Sequence, residues 1–244
     1  MESKFEKVVD GIYRLDVPFD HLYTSVFLIE GETPTVIDSA TTRQDVETMI
    51  LPALAARGIS KDTAGTLLIT HTHGDHNGGT PSLLELLPAF HQEVLATRGT
   101  HGTLTAYPLA GHTMSSMGYL DSRTGALICG DGLQFFGVGK YGCSVMDADA
   151  YENTLRLIAE LDPDTIIPSH DFVGGAAIAC GRENARALLK QAVDCWQTLK
   201  QYVLTHYEKT PDPEQIVLQY RADHPDLPPL PRITVKAILA QAGK

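Results

Sequence analysis

With 244 residues, 43% of them hydrophobic and 20% charged, the chain can bury a substantial core as one large domain or two small ones, and its composition is that of a soluble globular protein. A formal charge of −11, with no run of lysine or arginine, weighs against a nucleic-acid partner, because such binding draws most of its affinity from cations on phosphates. No apolar stretch reaches membrane-spanning length and Met1 to Lys7 lacks the apolar core of a signal peptide, so the expectation is a cytoplasmic protein with no membrane partner.

Residues 6 to 40 read as a meander. Val8 to Val17 form a hairpin around Asp10-Gly11, Ser25 to Glu30 a second strand and Pro34 to Asp38 a third, with His21 and Tyr23 in the loop between the first strands. Gln44 to Ala56 carries Val46, Met49, Ile50 and Leu54 at helical spacing after the start signal Thr41-Thr42, and Gly58 ends it. The apolar run Thr66-Leu67-Leu68-Ile69 then reads as a buried strand.

Directly after it comes Thr70-His71-Thr72-His73-Gly74-Asp75-His76-Asn77-Gly78-Gly79, with four residues able to bind a metal inside six positions. His71 and His73, two apart, point the same way as the strand ends. Gly74 is expected to bend the backbone so that Asp75 and His76 face the same space. Gly78 and Gly79 turn the chain into a helix with Thr80 as N-cap and Pro81 at its first position. Imidazole nitrogens with a carboxylate suit zinc, and also iron or manganese, better than calcium or magnesium.

A short helix over Ser82 to Leu87 is stopped by Pro88, and two strands follow, Glu93 to Thr97 and Thr103 to Pro108. His91 and His101 read as surface residues. Ser116 to Asp121 and Ala126 to Cys129 form a second hairpin. Leu133 to Gly142, aromatic and glycine-rich, reads as a mobile flap with Phe135, Phe136, Lys140 and Tyr141 as its substrate-facing candidates. A helix over Asp149 to Leu161, capped by Asp147 or Asp149, feeds the strand Thr165 to Pro168. Three further ligand candidates, His112, Asp131 and His170, each follow such a strand-like run. Cys129, Cys143, Cys180 and Cys195 are scattered and fit reduced, mostly buried thiols, and no base stands beside Cys143 to make it catalytic.

Strand, helix and strand ending in ligands thus occur twice, which implies an α/β chain folded as a four-layer αββα sandwich of two sheet-plus-helix halves. The core is expected over residues 1–175. After Gly174-Gly175, residues 176–244 form a helical extension, with a long helix over 182 to 207 packed on the core or on another subunit of a homo-oligomer, and a short one from Thr234 to Ala240.

The order His-x-His-x-Asp-His at 71–76, Gly-His-Thr at 111–113, Gly-Asp at 130–131 and the late His170 resembles the metallo-β-lactamase superfamily, closest to its glyoxalase II-like and lactonase-like hydrolases, over residues 6 to 173. The interval of 36 positions between His76 and His112 is shorter than in many relatives, and the tail is too short for the substrate domain of a full glyoxalase II. The resemblance implies that His71, His73 and His112 hold one divalent ion and that Asp75, His76 and His170 hold a second. Asp131 would bridge the two ions. Asp75 and Asp131 are the catalytic candidates. Asp38, where the family usually carries an aspartate, would orient a histidine ligand; the Ser39-Ala40 that follows departs from the common Asp-Thr-Gly form. The loop with His21 and Tyr23 would overhang the metals.

The function expected is therefore dinuclear zinc-dependent hydrolysis of a small ester, thioester or lactone by a metal-bridging hydroxide. Phosphodiester hydrolysis and an iron-dependent, persulfide dioxygenase-like reaction are the alternatives.

Overall fold

In the computed structural model, which describes residues 4–172 and 178–244, the first reversal falls at Asp10-Gly11, where Gly11 takes φ 70°. It joins β1 (Glu6–Val9) to β2 (Ile12–Phe19). Pairing of β2 with β3 (Leu22–Ile29) runs from Ile12 opposite Ile29 to Phe19 opposite Leu22. Only Asp20 and His21 remain for the turn, so the loop expected to hold His21 and Tyr23 is a hairpin tip, and Tyr23 lies within β3.

By its contacts the chain divides into two compact units, Met1–Tyr107 with Tyr119–Ala126, and Pro108–Gly118 with Leu127–Lys244. The boundary expected at residue 175, with Gly174-Gly175, lies outside the described residues.

The first unit contains the sheet β1-β2-β3-β4-β5-β6, with β4 at Thr35–Ile37, β5 at Gly65–Leu68 and β6 at Phe90–Gln92. It is antiparallel up to β4 and parallel from β4 through β6. Between β4 and β5 runs a helical stretch of three parts, α1 (Arg43–Asp45), a π-turn (Val46–Ile50) and α2 (Leu51–Ala55). Thr42 and Asp45 start it with a reciprocal capping box. Its Val46, Ile50, Ala53 and Leu54 pack with Leu15, Val17, Val26, Leu28, Val36 and Leu67 of the sheet. Two short helices, α3 (Gly74–Asn77) and α4 (Thr80–Leu86), lead to β6.

The strand expected at Glu93 to Thr97 is not there; it falls at Phe90–Gln92. Phe90 sets this register. It pairs with Gly65, and a Cβ on that glycine would stand 2.2 Å from the Phe90 ring. The ring fills the space that a side chain would have taken. A hairpin of β7 (Gly99–His101) and β8 (Leu104–Pro108) follows, turned at Gly102 with φ 56°.

The remaining strands are β9 (Met117–Asp121), β10 (Ala126–Gly130), the small pair β11 (Gly137–Val138) and β12 (Tyr141–Gly142), β13 (Thr165–Pro168) and β14 (Ala179–Cys180). The second six-stranded sheet has the order β14-β13-β10-β9-β8-β7.

In the second unit, α5 (Ala148–Leu161) is capped by the Asp147 side chain, which accepts from Ala150 N, and closes on Asp162 at φ 44°. The long α6 (Arg182–Lys209) buries Leu188, Ala192, Cys195, Trp196, Leu199 and Val203, one stripe at helical spacing. Trp196 crosses the Tyr151 ring of α5 edge-on at 5.2 Å and donates to Glu152 at 3.0 Å. An unexpected helix, α7 (Pro213–Asp223), precedes α8 (Arg232–Gln241). Its signal was present: Asp212 caps it, with Pro213 at the first position. Among the described residues, no helix is long and apolar enough to cross a membrane.

Candidate metal centre

The first unit builds its part of the site where β4 and β5 end side by side, with Asp38 N donating to Leu68 O at 2.9 Å. The chain then turns through Asp38 at φ 66° and Ala40 at φ 57°. Left-handed backbone costs a residue with a side chain roughly 1–2 kcal/mol, and bonds from both sides hold it here. The fully buried Asp38 carboxylate accepts from Thr70 N at 2.7 Å, Thr70 Oγ1 at 2.8 Å and His76 Nδ1 at 2.8 Å. Ser39 N donates to His76 O at 2.7 Å, and Gly79 N to Ala40 O at 3.1 Å. Tyr119 Oη donates to Ile69 O at 2.8 Å. The histidine stretch is thus clamped at its start, its middle and its end.

The glycines act differently from the sequence-based expectation. Gly78 and Gly79 are in ordinary right-handed helical conformation. They are needed for closeness: a Cβ on Gly78 would stand 2.1 Å from Thr41 O, and one on Gly79 2.1 Å from Ser39 O. Gly79, not Thr80, is the N-cap of α4, and Thr80 donates to Asn77 Oδ1 at 2.7 Å. Gly74 has open space around it and no positive φ; the bend is made at His73, extended at φ −64°, ψ 151° before α3.

Four candidate ligands gather on this clamp. His71 Nε2 lies 3.0 Å from His73 Nδ1, the His71 and His76 ring centroids are 4.1 Å apart, and His76 Nε2 lies 3.4 Å from Asp75 Oδ2. His71 and His76 are buried, Asp75 half-buried and His73 exposed. Thr24 of β3 donates to Asp75 Oδ2 at 3.2 Å.

The second unit gathers three. His112 follows Gly111, whose φ of 134° and contact with the Tyr151 backbone (2.5 Å from a Cβ) admit only glycine. Its Nδ1 lies 2.8 Å from Ser144 O, and its Nε2 is 3.5 Å from Asp131 Oδ2. Asp131 leaves β10 just after Gly130, at φ 54°. His170 leaves β13, steadied by Ser169 N donating to Gly130 O at 3.2 Å, and its Nε2 is 3.4 Å from Asp131 Oδ1. The two oxygens of Asp131 therefore face two different imidazoles.

A carboxylate and a carbonyl can only accept, so in the neutral form, the one that ligates a metal, His76 and His112 carry the proton on Nδ1 and present a lone pair at Nε2. Each of those nitrogens faces a carboxylate oxygen at 3.4 or 3.5 Å. Two acceptors held that close repel unless a proton or a metal cation lies between them, and a histidine steadied through its second nitrogen is the usual metal-ligand arrangement. These histidine and aspartate groups fit a metal site. Thr24, Thr70 and Ser144 went unnoticed in the sequence: Thr70 adjoins the motif, whereas nothing marks a carbonyl at 144 or a hydroxyl at 24.

The candidate substrate residues are spread out. His21 is at the hairpin tip, 3.2 Å from Asp20, and the Arg14 guanidinium lies 5.6 Å from the Tyr23 ring centroid. The stretch Leu133 to Gly142 is not one mobile flap. Phe135 is buried, Phe136 half-buried, and Gln134 is locked by bonds to Asp131 O, the Tyr151 hydroxyl and Ser144 N. Only the β11–β12 tip is exposed, at Gly139 and Lys140, with the Lys140 ammonium 5.2 Å from the Tyr141 ring. The Cys143 thiol is held well above the ordinary thiol range by its bond to the Cys195 thiol and by burial.

Residues 20–89 match the family model of the metallo-beta-lactamase superfamily. The chain is similar to a hydroxyacylglutathione hydrolase of Francisella tularensis, 30% identical over 43% of this chain and 49% of that protein. It is also similar to the atrochrysone carboxyl ACP thioesterase AgnL7 of Paecilomyces divaricatus, 25% identical over 62% of this chain and 51% of that protein. The chain spans about half the length of these curated relatives. Among solved structures, a metallo-β-lactamase from Erythrobacter litoralis aligns with TM-score 0.58 at 19% identity, over 78% of this chain and 96% of that one, which shows a shared fold. In its histidine and aspartate groups, its fold and the matched residues 20–89, the chain is similar to the metallo-β-lactamase superfamily.

Proposed function

We propose that the chain is a metal-dependent hydrolase of a small ester, thioester or lactone, working with two divalent ions, both zinc, with iron or manganese as the alternative metals. The observation that carries this is the pair of imidazole lone pairs facing carboxylate oxygens at 3.4 and 3.5 Å. His71, His73 and His112 would hold one ion, Asp75, His76 and His170 the other, and Asp131 both. Such ions supply hydroxide near neutral pH and stabilise the oxyanion of an attacked carbonyl. The chain's own part is to aim the ligands. Asp38 fixes the His76 ring, the Ser144 carbonyl fixes that of His112, and Thr24 turns the Asp75 carboxylate. A thioesterase and a hydroxyacylglutathione hydrolase among the relatives support acyl over phosphoryl substrates. The acidic charge weighs the same way. A second complete ligand set, Asp75, His76 and His170, favours two ions over the single iron of a dioxygenase. The cysteines are free thiols, which suits a cytoplasmic setting.

The test compares initial rates of zinc-reconstituted protein on an activated thioester, a lactone and a phosphodiester, with metal content measured in parallel. We expect two zinc ions per chain and faster carbonyl turnover. Asp131→Ala should lose turnover while its circular dichroism stays that of the parent. Unchanged turnover and metal content in that variant would sink the assignment, and faster phosphodiester turnover would replace the substrate class.

A further inference from the structure

Away from these ligands, the first unit holds a second line of hydrogen-bonded side chains. Thr35 Oγ1 of β4 lies 2.9 Å from His101 Nε2 of β7, and His101 Nδ1 lies 2.6 Å from Glu93 Oε2. With His101 neutral, the Glu93 carboxylate, which can only accept, takes the Nδ1 proton, and the Thr35 hydroxyl donates to the lone pair on Nε2. Carboxylate, imidazole and hydroxyl in that order are the arrangement in which an imidazole serves as general base for a hydroxyl nucleophile.

The line borders a cavity of about 400 Å³, lined by Thr35 and His101 together with Thr33, Thr103, Leu104 and Arg123. The Arg123 guanidinium is fixed on the cavity wall by Asp121 Oδ1 and Glu30 O, each at 3.1 Å, and by packing on Gly11. The volume admits a small molecule and no polymer. Residue 35 sits 66 positions from residue 101, which is why no nucleophile–base pair was visible in the sequence.

We infer that Thr35, His101 and Glu93 form a second, metal-independent site that takes an acyl group from a small activated ester. Thr35 Oγ1 attacks the ester carbonyl as its proton passes to His101 Nε2. The tetrahedral intermediate collapses, the C–O bond to the alcohol breaks, and the leaving alkoxide takes the proton from His101. The products are an acyl ester on Thr35 and a free alcohol. The Glu93 carboxylate faces the imidazolium that forms.

The experiment uses the full chain stripped with EDTA, so that metal-dependent hydrolysis is silent, and p-nitrophenyl acetate as the probe. Nitrophenolate release is followed in stopped flow, and quenched samples are taken for intact mass and peptide mapping. The expected result is a burst of one equivalent of nitrophenolate with one acetyl group on the Thr35 peptide. Thr35→Ser should keep it. Thr35→Val should lose it, and His101→Gln should slow it on the order of 10²-fold, the scale of a missing general base. Neither burst nor acetyl group at Thr35 in the parent would overturn the inference, as would an equal acetylation rate in His101→Gln. Glu93→Gln, which leaves the hydroxyl and imidazole in place, should also slow the burst, and an unchanged burst there would remove Glu93 from the site.

Discussion

Asp38→Ala is the most informative substitution in the metal-ligand region. The carboxylate has no solvent-accessible surface and accepts from the Thr70 amide, the Thr70 hydroxyl and the His76 ring. Removing it strands three donors. Each unmade bond to a buried donor costs about 1–3 kcal/mol, and the Thr70 hydroxyl can rotate to another acceptor, so the two remaining donors sum to about 2–6 kcal/mol. Alanine at φ 66° adds roughly 1 kcal/mol, because aspartate tolerates that backbone better. Domains of ordinary stability have about 5–15 kcal/mol in total, so the variant should be close to unfolding. Asp38→Asn keeps the shape and the tolerance of positive φ but turns an amide towards a donor, for a loss of about 1–3 kcal/mol. Metal affinity should fall about 10- to 100-fold in the asparagine variant, as for other partners of a ligating histidine. Urea unfolding of the metal-free protein, read by circular dichroism, gives the first quantity, and zinc competition with a chromophoric chelator gives the second. A loss below about 1 kcal/mol in Asp38→Ala, or parental zinc affinity in Asp38→Asn, would show that the clamp is not what holds the His76 ring.

Three other outcomes are expected. Gly79→Ala should lower stability by at least about 1–3 kcal/mol, because the new Cβ meets backbone at 2.1 Å, whereas Gly74→Ala should change it by less than about 1 kcal/mol; urea midpoints of the two decide. Burial, followed by the nearby Cys195 and Cys143, pushes Tyr220 up to about 12, and burial with the bond to Asp223 raises Tyr202 as well. Both are acids kept neutral by the fold, while the unfolded chain releases these protons near pH 10. Their contribution is full below pH 10 and is lost as pH rises towards 12, so an alkaline titration should show α6–α7 helicity falling together with tyrosinate formation. Helicity constant through that window would refute it. Ellman's reagent should label Cys180 alone in the native chain and all four cysteines in denaturant, since Cys129, Cys143 and Cys195 are buried; a second fast thiol would contradict the packing.

The candidate ligands could be picked out because four of them are dense in the sequence and the other three sit at strand ends, where an apolar run stops and a loop begins. Helix α5 was legible from its aspartate cap and α6 from its apolar stripe. What failed depended on tertiary closeness. Gly78 and Gly79 looked like turn formers, yet they answer to carbonyl oxygens of residues 41 and 39. The strand near residue 90 was misplaced because its register is set by a glycine 25 positions earlier. Phe135 read as a flap residue because aromatic and glycine content marks mobility and burial alike. His101 read as a surface residue because both its partners are distant or weakly marked in sequence.

The bonds that aim the candidate ligands are all made by the polypeptide itself: Asp38 on Thr70 and His76, Ser144 on His112, Gly130 on Ser169. None of them has an ion as a partner. A zinc finger, by contrast, borrows its folding energy from the metal and collapses under a chelator. Here the ion would be a tenant in a furnished room. The empty protein should survive dialysis against EDTA intact, so that one purified batch can be refilled in parallel with zinc, manganese or iron. In a cell, the occupant would then follow the supply of metals at the time, as much as the preference of the site.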